Sequence, residues 1–353
     1  MKIPPALSDA LLPLSWAYGA AVRARAWQFD RGHGVRRLNA VVISVGNITT
    51  GGSGKTPMVL WLAERLAQLD VPVGILTRGY RGGVRLDRGT QEELATELGQ
   101  PIAPWSDEVA LLSRRLGFKA RFGVGADRWA EGRVLTGLGI KWLLLDDGFQ
   151  HRRLHRDVDI VLIDSLDPFG GGRLLPSGRL REPVESLRRA DILVITRTLS
   201  APELEKELRG HTQAPIFYAT TELQEVRALE NSAVHCGKAD WLGKKVFAFC
   251  GIGNPQGFFA DVERWGMQLA GTRTFRDHHR YHQSNAQRIE RAALAAGAEA
   301  LLCTEKDAQN LGAVRFEQLP LFCCDVTLRV ADGDSFWNTL LNIIDLRRGK
   351  SPE

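Results

Sequence analysis

The chain has 353 residues, 44% of them apolar and 25% charged, which is the composition of an ordinary globular protein with room for about two domains. Its 46 Lys and Arg against 41 Asp and Glu leave a net charge of +5, a mild bias that suits an anionic partner and is too thin to argue for nucleic acid. The five cysteines form no CxxC pair, so reduced core thiols are expected rather than zinc or disulfides, and no run approaches the roughly 18 uncharged apolar residues of a spanning helix.

The first expected element is a helix over ALSDALLPLSWAYGAAVRARAWQF (6–29). Lys2 is the only early cation and Asp9 interrupts the approach, so no signal peptide is expected. Leu11, Leu12, Leu14, Trp16, Tyr18, Trp27 and Phe29 are mixed with Arg23, Arg25 and Arg31. Such a mixture suits either an interfacial helix on an anionic lipid surface or an amphipathic helix docked on its own core.

Strand-like apolar runs then alternate with helical patterns. The strands are expected at 40–46, 71–77, 120–125, 141–146, 158–164, 190–196, 245–251, 299–304 and 320–325, with helices such as 58–69 and 107–117 between them. This alternation predicts an α/β fold with a mainly parallel sheet. Residues from about 200 to 240 are polar and read as a connector with a hairpin, before a second α/β unit opens at Lys245.

Directly after the first buried strand stands GNITTGGSGKTP (46–57). A phosphate-binding loop needs glycines that let backbone N–H groups turn inward, a lysine for the β/γ-phosphates and a hydroxyl for Mg²⁺. Gly51, Gly52 and Gly54, Lys55 and Thr56 supply these, and Pro57 suits the first turn of a helix. Thr49 stands where the general pattern has glycine. A second strand ends in Asp146-Asp147, at the tip where α/β sheets bind ligands and where a Mg²⁺ ion would need acids.

Three further clusters lie near strand ends. Asp107, in Ser106-Asp107-Glu108, is an N-cap of its helix or a reactive acid. GRLLPSGRLREP (172–183) carries Arg173, Arg179, Arg181 and Glu182. FRDHHRYHQ (275–283) gathers Asp277, His278, His279 and His282. Adjacent histidines point their rings apart, so a proton relay or a phosphate contact fits better than zinc. TEKD (304–307) places its lysine one position late for the N/T-K-x-D base motif of GTPases, and that reading fails.

In order, GNITTGGSGKTP, LTRGYRGG (76–83), SDE (106–108), DDGFQHRRL (146–154), LLPSGRLREP (174–183), AFCGIGNPQGF (248–258), FRDHHRY (275–281) and TEKD resemble the tetraacyldisaccharide 4′-kinase family over nearly the whole chain. The resemblance implies a P-loop NTPase-type, mainly parallel sheet, a second, smaller α/β lobe and an N-terminal amphipathic helix. The expected segments are 1–36 for the membrane-associating helix, 37–205 for the kinase core, 206–240 for the linker and 241–353 for the smaller lobe. It implies ATP and Mg²⁺, a glycolipid acceptor (tetraacyldisaccharide 1-phosphate) and a seat on the cytoplasmic face of the bacterial inner membrane. Neither nucleic acid nor an obligate protein partner is implied.

Carried over by motif, Thr49, Thr50, Gly51, Gly52, Ser53, Gly54, Lys55 and Thr56 would cradle the nucleotide. Thr56, Asp146, Asp147 and Glu182 would stand at the metal. Asp107 would be the general base, supported by His278 paired with Asp277, and lobe closure would assemble them. Arg78, Arg128 and Arg181 are expected at phosphate contacts. SDEV in place of the family's GDEP, and the altered LTRGYRGG, put loop geometry in question more than activity. The alternative is a P-loop NTPase acting as a metallochaperone or switch, without an acceptor.

Overall fold

The computed structural model describes residues 5–79, 107–229, 235–236 and 238–349, with residues 5–7, 107–108, 235–236 and 238 described in their backbone alone. Ser106 and the end of LTRGYRGG lie outside the described residues. The chain divides into two units, one comprising residues up to Thr220 together with those from Val330 onward, the other Thr221–Arg329.

The first unit is built on β1 (Val41–Gly46), a strand buried at every position. Around it lie β2 (Val73–Thr77), β3 (Ala120–Val124), β4 (Trp142–Asp146), β5 (Val158–Asp164), β6 (Ile192–Thr196) and the first half of β7 (Ile216–Ala228). Their order is β7-β6-β5-β1-β4-β2-β3, and every pairing in it is parallel. Central strands buried on both faces read as continuous apolar runs, and this is why they were legible in the sequence. Alternate residues of β5 and β6 (Val161, Ile163, Leu193 and Ile195) feed one core, and Val42, Leu76, Leu143 and Leu145 of β1, β2 and β4 feed another.

Parallel strands need helical crossovers, and α3 (Lys55–Gln68), α4 (Asp107–Leu116) and α5 (Arg128–Gly137) supply three. Each leads back into a parallel strand, so each starts at the carboxyl edge of the sheet. Register aligns that edge, with Val45 opposite Asp146, Gly46 opposite Val161 and Asp164 opposite Thr196.

Two helices precede the sheet, α1 (Pro5–Ala10) and α2 (Leu12–Asp30). The division of their faces is inverted. The buried positions are Ser8, Ser15, Gly19 and Phe29, whereas Leu14, Trp16 and Trp27 are 58%, 71% and 58% exposed. Arg31 lies 3.6 Å over the Trp27 ring, a cation held on an aromatic face. Among the described residues no helix is long and apolar enough to cross a membrane.

Two stretches differ from the sequence expectation. PELEKELR, within the polar connector, is the helix α6 (Pro202–Arg209), anchored by buried Leu208. Gly333–Arg348, placed in the smaller lobe by its position, is the helix α10 and packs in the first unit. Its Phe336 is fully buried, with ring edges against Trp61 at 5.4 Å and Phe217 at 5.2 Å, and Arg347 bonds the Asp157 carbonyl and Asp191. Nothing local in an amphipathic helix says which core it will join.

The second unit has its own parallel strands in the order β10-β9-β11-β12, comprising β9 (Lys245–Cys250), β10 (Gln268–Thr274), β11 (Ala300–Thr304) and β12 (Leu321–Val330). β10 escaped the sequence reading because QLAGTRT is an edge strand, bulged at Gly271 and only partly buried. The far half of β7 pairs antiparallel with the short β8 (His235–Cys236), which forms the hairpin. Cys250, Cys303, Cys323 and Cys324 are buried free thiols.

Truncating Phe336 to alanine is expected to cost about 3–5 kcal/mol through the cavity it leaves. Urea unfolding followed by tryptophan fluorescence checks this, and a loss under about 1 kcal/mol would contradict the packing described.

Candidate active site

β1 ends at Gly46 because nothing larger fits there: a Cβ would stand 2.5 Å from that of Phe149. The chain then loops through residues 47–54 and enters α3 at Lys55. Gly54, in the left-handed region at φ 89°, caps this helix without a side-chain bond. The helix therefore opens with unmatched backbone donors and its positive dipole end toward the loop. Within the loop Ser53 Oγ is buried and has no hydrogen-bond partner. An uncapped helix start beside an orphaned hydroxyl is a fit for phosphate oxygens.

Lys55 Nζ reaches Asn47 Oδ1 at 3.3 Å, the Gly51 carbonyl at 3.5 Å and Asp147 at 3.6 Å. Arg181 Nη1 donates to both oxygens of Asp147, at 2.7 and 2.8 Å, and to Gln150 Oε1 at 3.2 Å. Burial alone would raise the Asp147 carboxyl. The charges of Lys55 and Arg181, the Arg181 hydrogen bond and Arg128 outweigh it and hold the group at about 2, below its ordinary 3.8. One carboxylate thus faces three cations. Asp147 also adopts a left-handed backbone at φ 50°, strain for a non-glycine residue at a strand tip.

A second strand of chain closes the loop from outside. Thr49 bridges Leu180 antiparallel, Thr50 N–H donates to the Arg179 carbonyl at 2.7 Å, and Arg179 returns two bonds to the Thr50 carbonyl at 3.1 and 2.8 Å. On the other side Thr196 Oγ1 donates to the Ser53 carbonyl at 3.3 Å and Arg197 Nη2 to that of Gly52 at 3.4 Å.

The expected site residues of the first unit converge on this edge in part. Thr56 is buried at the start of α3 and Asp146 is buried at the tip of β4. Glu182 is buried too, but its carboxylate is bonded by Arg189. Arg128 is buried at the start of α5 and acts electrostatically on Asp147, while Arg78 stands exposed at the end of β2. Asp107 is the first residue of α4, which packs on α3 and β3. His151 had no assigned role although DDGFQHRRL contains it. Burial, then Arg128 and Arg156, hold it down at about 4, and its buried Nε2 has no partner.

Asp277 and His278 belong to the second unit. His278 Nε2 lies 3.8 Å from Asp277 Oδ2, its backbone is left-handed at φ 58°, and its N–H donates to the Gly251 carbonyl at 3.0 Å. His279 faces elsewhere, stacked on Phe275 at 4.6 Å. The TEKD motif is structural. Thr304 caps the short α9 (Glu305–Asn310), and buried Asp307 accepts from Gly251 N–H and Tyr281 Oη, both at 2.7 Å. Among the described residues no group of three His, Cys, Asp or Glu side chains is arranged to hold a metal. Mg²⁺ that arrives with a nucleotide needs only one or two protein oxygens, and Thr56 with Asp146 fits that demand.

A buried strand, a glycine loop, an uncapped helix carrying Lys55 and an acidic strand tip define a P-loop phosphotransferase core. The sequence profile described as Tetraacyldisaccharide-1-P 4'-kinase matches residues 7–345. Curated relatives include the tetraacyldisaccharide 4'-kinase of Koribacter versatilis, 35% identical over 96% of this chain and 99% of its own, and that of Anaeromyxobacter sp. (strain K), 39% identical over 87% and 82%. A crystal structure of "apo" form LpxK from Aquifex aeolicus in complex with ATP superposes with a TM-score of 0.69, at 27% identity, over 96% of this chain and 99% of that one. The chain belongs to the tetraacyldisaccharide 4'-kinase family, and it is a kinase.

Because the Asp147 carboxyl is held below its ordinary value, the stability it contributes is present above pH 3.8 and is lost as pH falls toward about 2. Asp147→Asn is therefore expected to flatten the acid limb of a stability profile by about 2 kcal/mol over that window. Urea unfolding at stepped pH reads it, and parallel limbs for both proteins would contradict the cluster.

Proposed function

We propose that the edge carrying Lys55, Thr56 and Asp147 is where the γ-phosphate of ATP passes to the 4′-hydroxyl of a tetraacyldisaccharide 1-phosphate, on the cytoplasmic face of the bacterial inner membrane. The observation that carries this reading is the convergence of Lys55, Arg181 and Arg128 on the single carboxylate of Asp147, beside a helix start with no side-chain cap.

Lys55 binds the β/γ-phosphates, and loop residues Thr49, Thr50, Gly51, Gly52, Ser53 and Gly54 wrap them with backbone donors and the Ser53 hydroxyl. Thr56 and Asp146 would hold Mg²⁺, while Asp147 and Glu182 keep the surrounding arginines in place. When bound, the ion neutralises charge on the transferring phosphoryl group. Arg181, held beside Lys55 by Asp147, contacts the phosphates. Asp107, at the start of α4, accepts the proton of the acceptor hydroxyl. His278, with Asp277, takes part in moving that proton.

The exposed Leu14, Trp16 and Trp27, with Arg23, Arg25 and Arg31, lay α2 on an anionic lipid surface. A peripheral seat meets a physical need, since the acceptor's acyl chains stay in the bilayer while its sugar must reach ATP.

Transfer from γ-labelled ATP to tetraacyldisaccharide 1-phosphate in detergent micelles tests the reading. Wild type is expected to label the lipid. Asp107→Ala should lose about 10²–10⁴-fold in rate with ATP affinity kept. Lys55→Ala should weaken ATP binding itself by at least about tenfold. ATP hydrolysis with no labelled lipid would sink the kinase assignment for this acceptor. Loss of ATP binding in Asp107→Ala would remove it as the base.

A further inference from the structure

The N-terminal helices and the phosphate loop both clasp one segment, residues 173–181. From the helix side, Ser8 Oγ donates to the Ser177 carbonyl and Ser177 Oγ to the Ser8 carbonyl, both at 2.7 Å. Ser15 Oγ donates to the Leu174 carbonyl and accepts from Ser177 N–H, both at 2.9 Å. Tyr18 Oη donates to the Arg181 carbonyl at 2.8 Å. Gly19 lets the helix sit this close, because a Cβ there would stand 2.8 Å from Leu174 Cδ1.

The segment is tied across itself. Leu175 N–H donates to the Leu180 carbonyl at 2.9 Å and Leu180 N–H to that of Arg173 at 3.0 Å. From its other side it holds the phosphate site, through the paired bonds of Arg179 with Thr50, Arg181 N–H to the Ile48 carbonyl at 2.8 Å, and the Arg181 guanidinium on Asp147. A run of hydrogen bonds therefore leads from Tyr18 through Arg181 to Asp147, which in turn forms an ion pair with Lys55 at 3.6 Å.

A helix that served only as a membrane float would be expected to bury apolar residues against the body. This one buries Phe29 alone of its large apolar residues and otherwise uses hydroxyls, each aimed at a backbone atom of the segment that positions Arg179 and Arg181. Directional bonds fix position where apolar contact allows sliding.

We propose that Tyr18, supported by Ser15, is a positioning residue of the nucleotide site, so that the seating of the N-terminal helix and the binding of phosphate are energetically linked. This rests on the reading of that site as the ATP site. Linkage is reciprocal: whatever holds the helix in its seat tightens ATP, and ATP tightens the seat.

The test is calorimetric titration of Mg²⁺-ATP into the full chain, wild type against Tyr18→Phe, which removes one hydroxyl. Alongside run the transfer assay and sedimentation with phosphatidylglycerol-containing vesicles. Tyr18→Phe is expected to bind ATP about two- to tenfold more weakly and to raise KM for ATP, with KM for the lipid acceptor and vesicle binding unchanged. Ser15→Ala, titrated the same way, answers the question should Tyr18→Phe fold poorly. Wild-type ATP affinity in both folded variants, or lost vesicle binding with ATP affinity intact, would overturn the proposal. A wild-type chain that fails to bind ATP would overturn the functional reading itself, a result distinct from either.

Discussion

Cations held close together repel one another, and Asp147 is the group that lets Lys55 and Arg181 stand side by side. Its carboxylate is held well down despite burial, because both cations and Arg128 act on it. A part-buried ion cluster of this kind is weak evidence for stability, since desolvation offsets much of the attraction. On the function proposed above its value is preorganisation: the donors are placed before the charge they serve develops. The left-handed backbone at Asp147 is strain of the sort that surrounding structure must hold, here through Arg181 and the tight packing of Gly46 on Phe149.

Around that cluster the first unit orders the loop through bonds to its backbone. The phosphate loop is paired from one side by Arg179 and Leu180, and from the other by Thr196 and Arg197. A glycine-rich loop pays a large entropy to be ordered, and bonds to its carbonyls recover part of it. The N-terminal helix takes part through the same 173–181 segment. Its hydroxyls face inward and its tryptophans outward, the reverse of a helix folded only onto its own core.

The second unit shows the same economy. Asp307 is pushed up by burial against the pull of bonds from Thr304, Tyr281 and Gly251, and through Gly251 it bears on His278. TEKD is thus a cap and a buried brace.

The elements that depend on neighbours in sequence were legible without coordinates. Buried parallel strands are short apolar runs, the glycine loop and its lysine are contiguous, and the acids end their strand at residues 146–147. These are signals of period and local turn chemistry, complete within a dozen residues. The edge strand β10 was not legible, because half its residues face solvent. Pairings between distant residues were not legible either. Asp147 takes Arg181 while Glu182 takes Arg189, pairings that spacing alone does not give. The seat of α10 in the first unit joins Arg347 to an Asp157 carbonyl 190 residues earlier. Sequence by itself determined the α/β class, the phosphate loop and the family resemblance, because those reside in local patterns. Tertiary structure alone decided which charges neutralise which, which face of the N-terminal helix turns inward, and where the chain's end belongs. Each of those is settled by partners that only folding brings within a few ångströms.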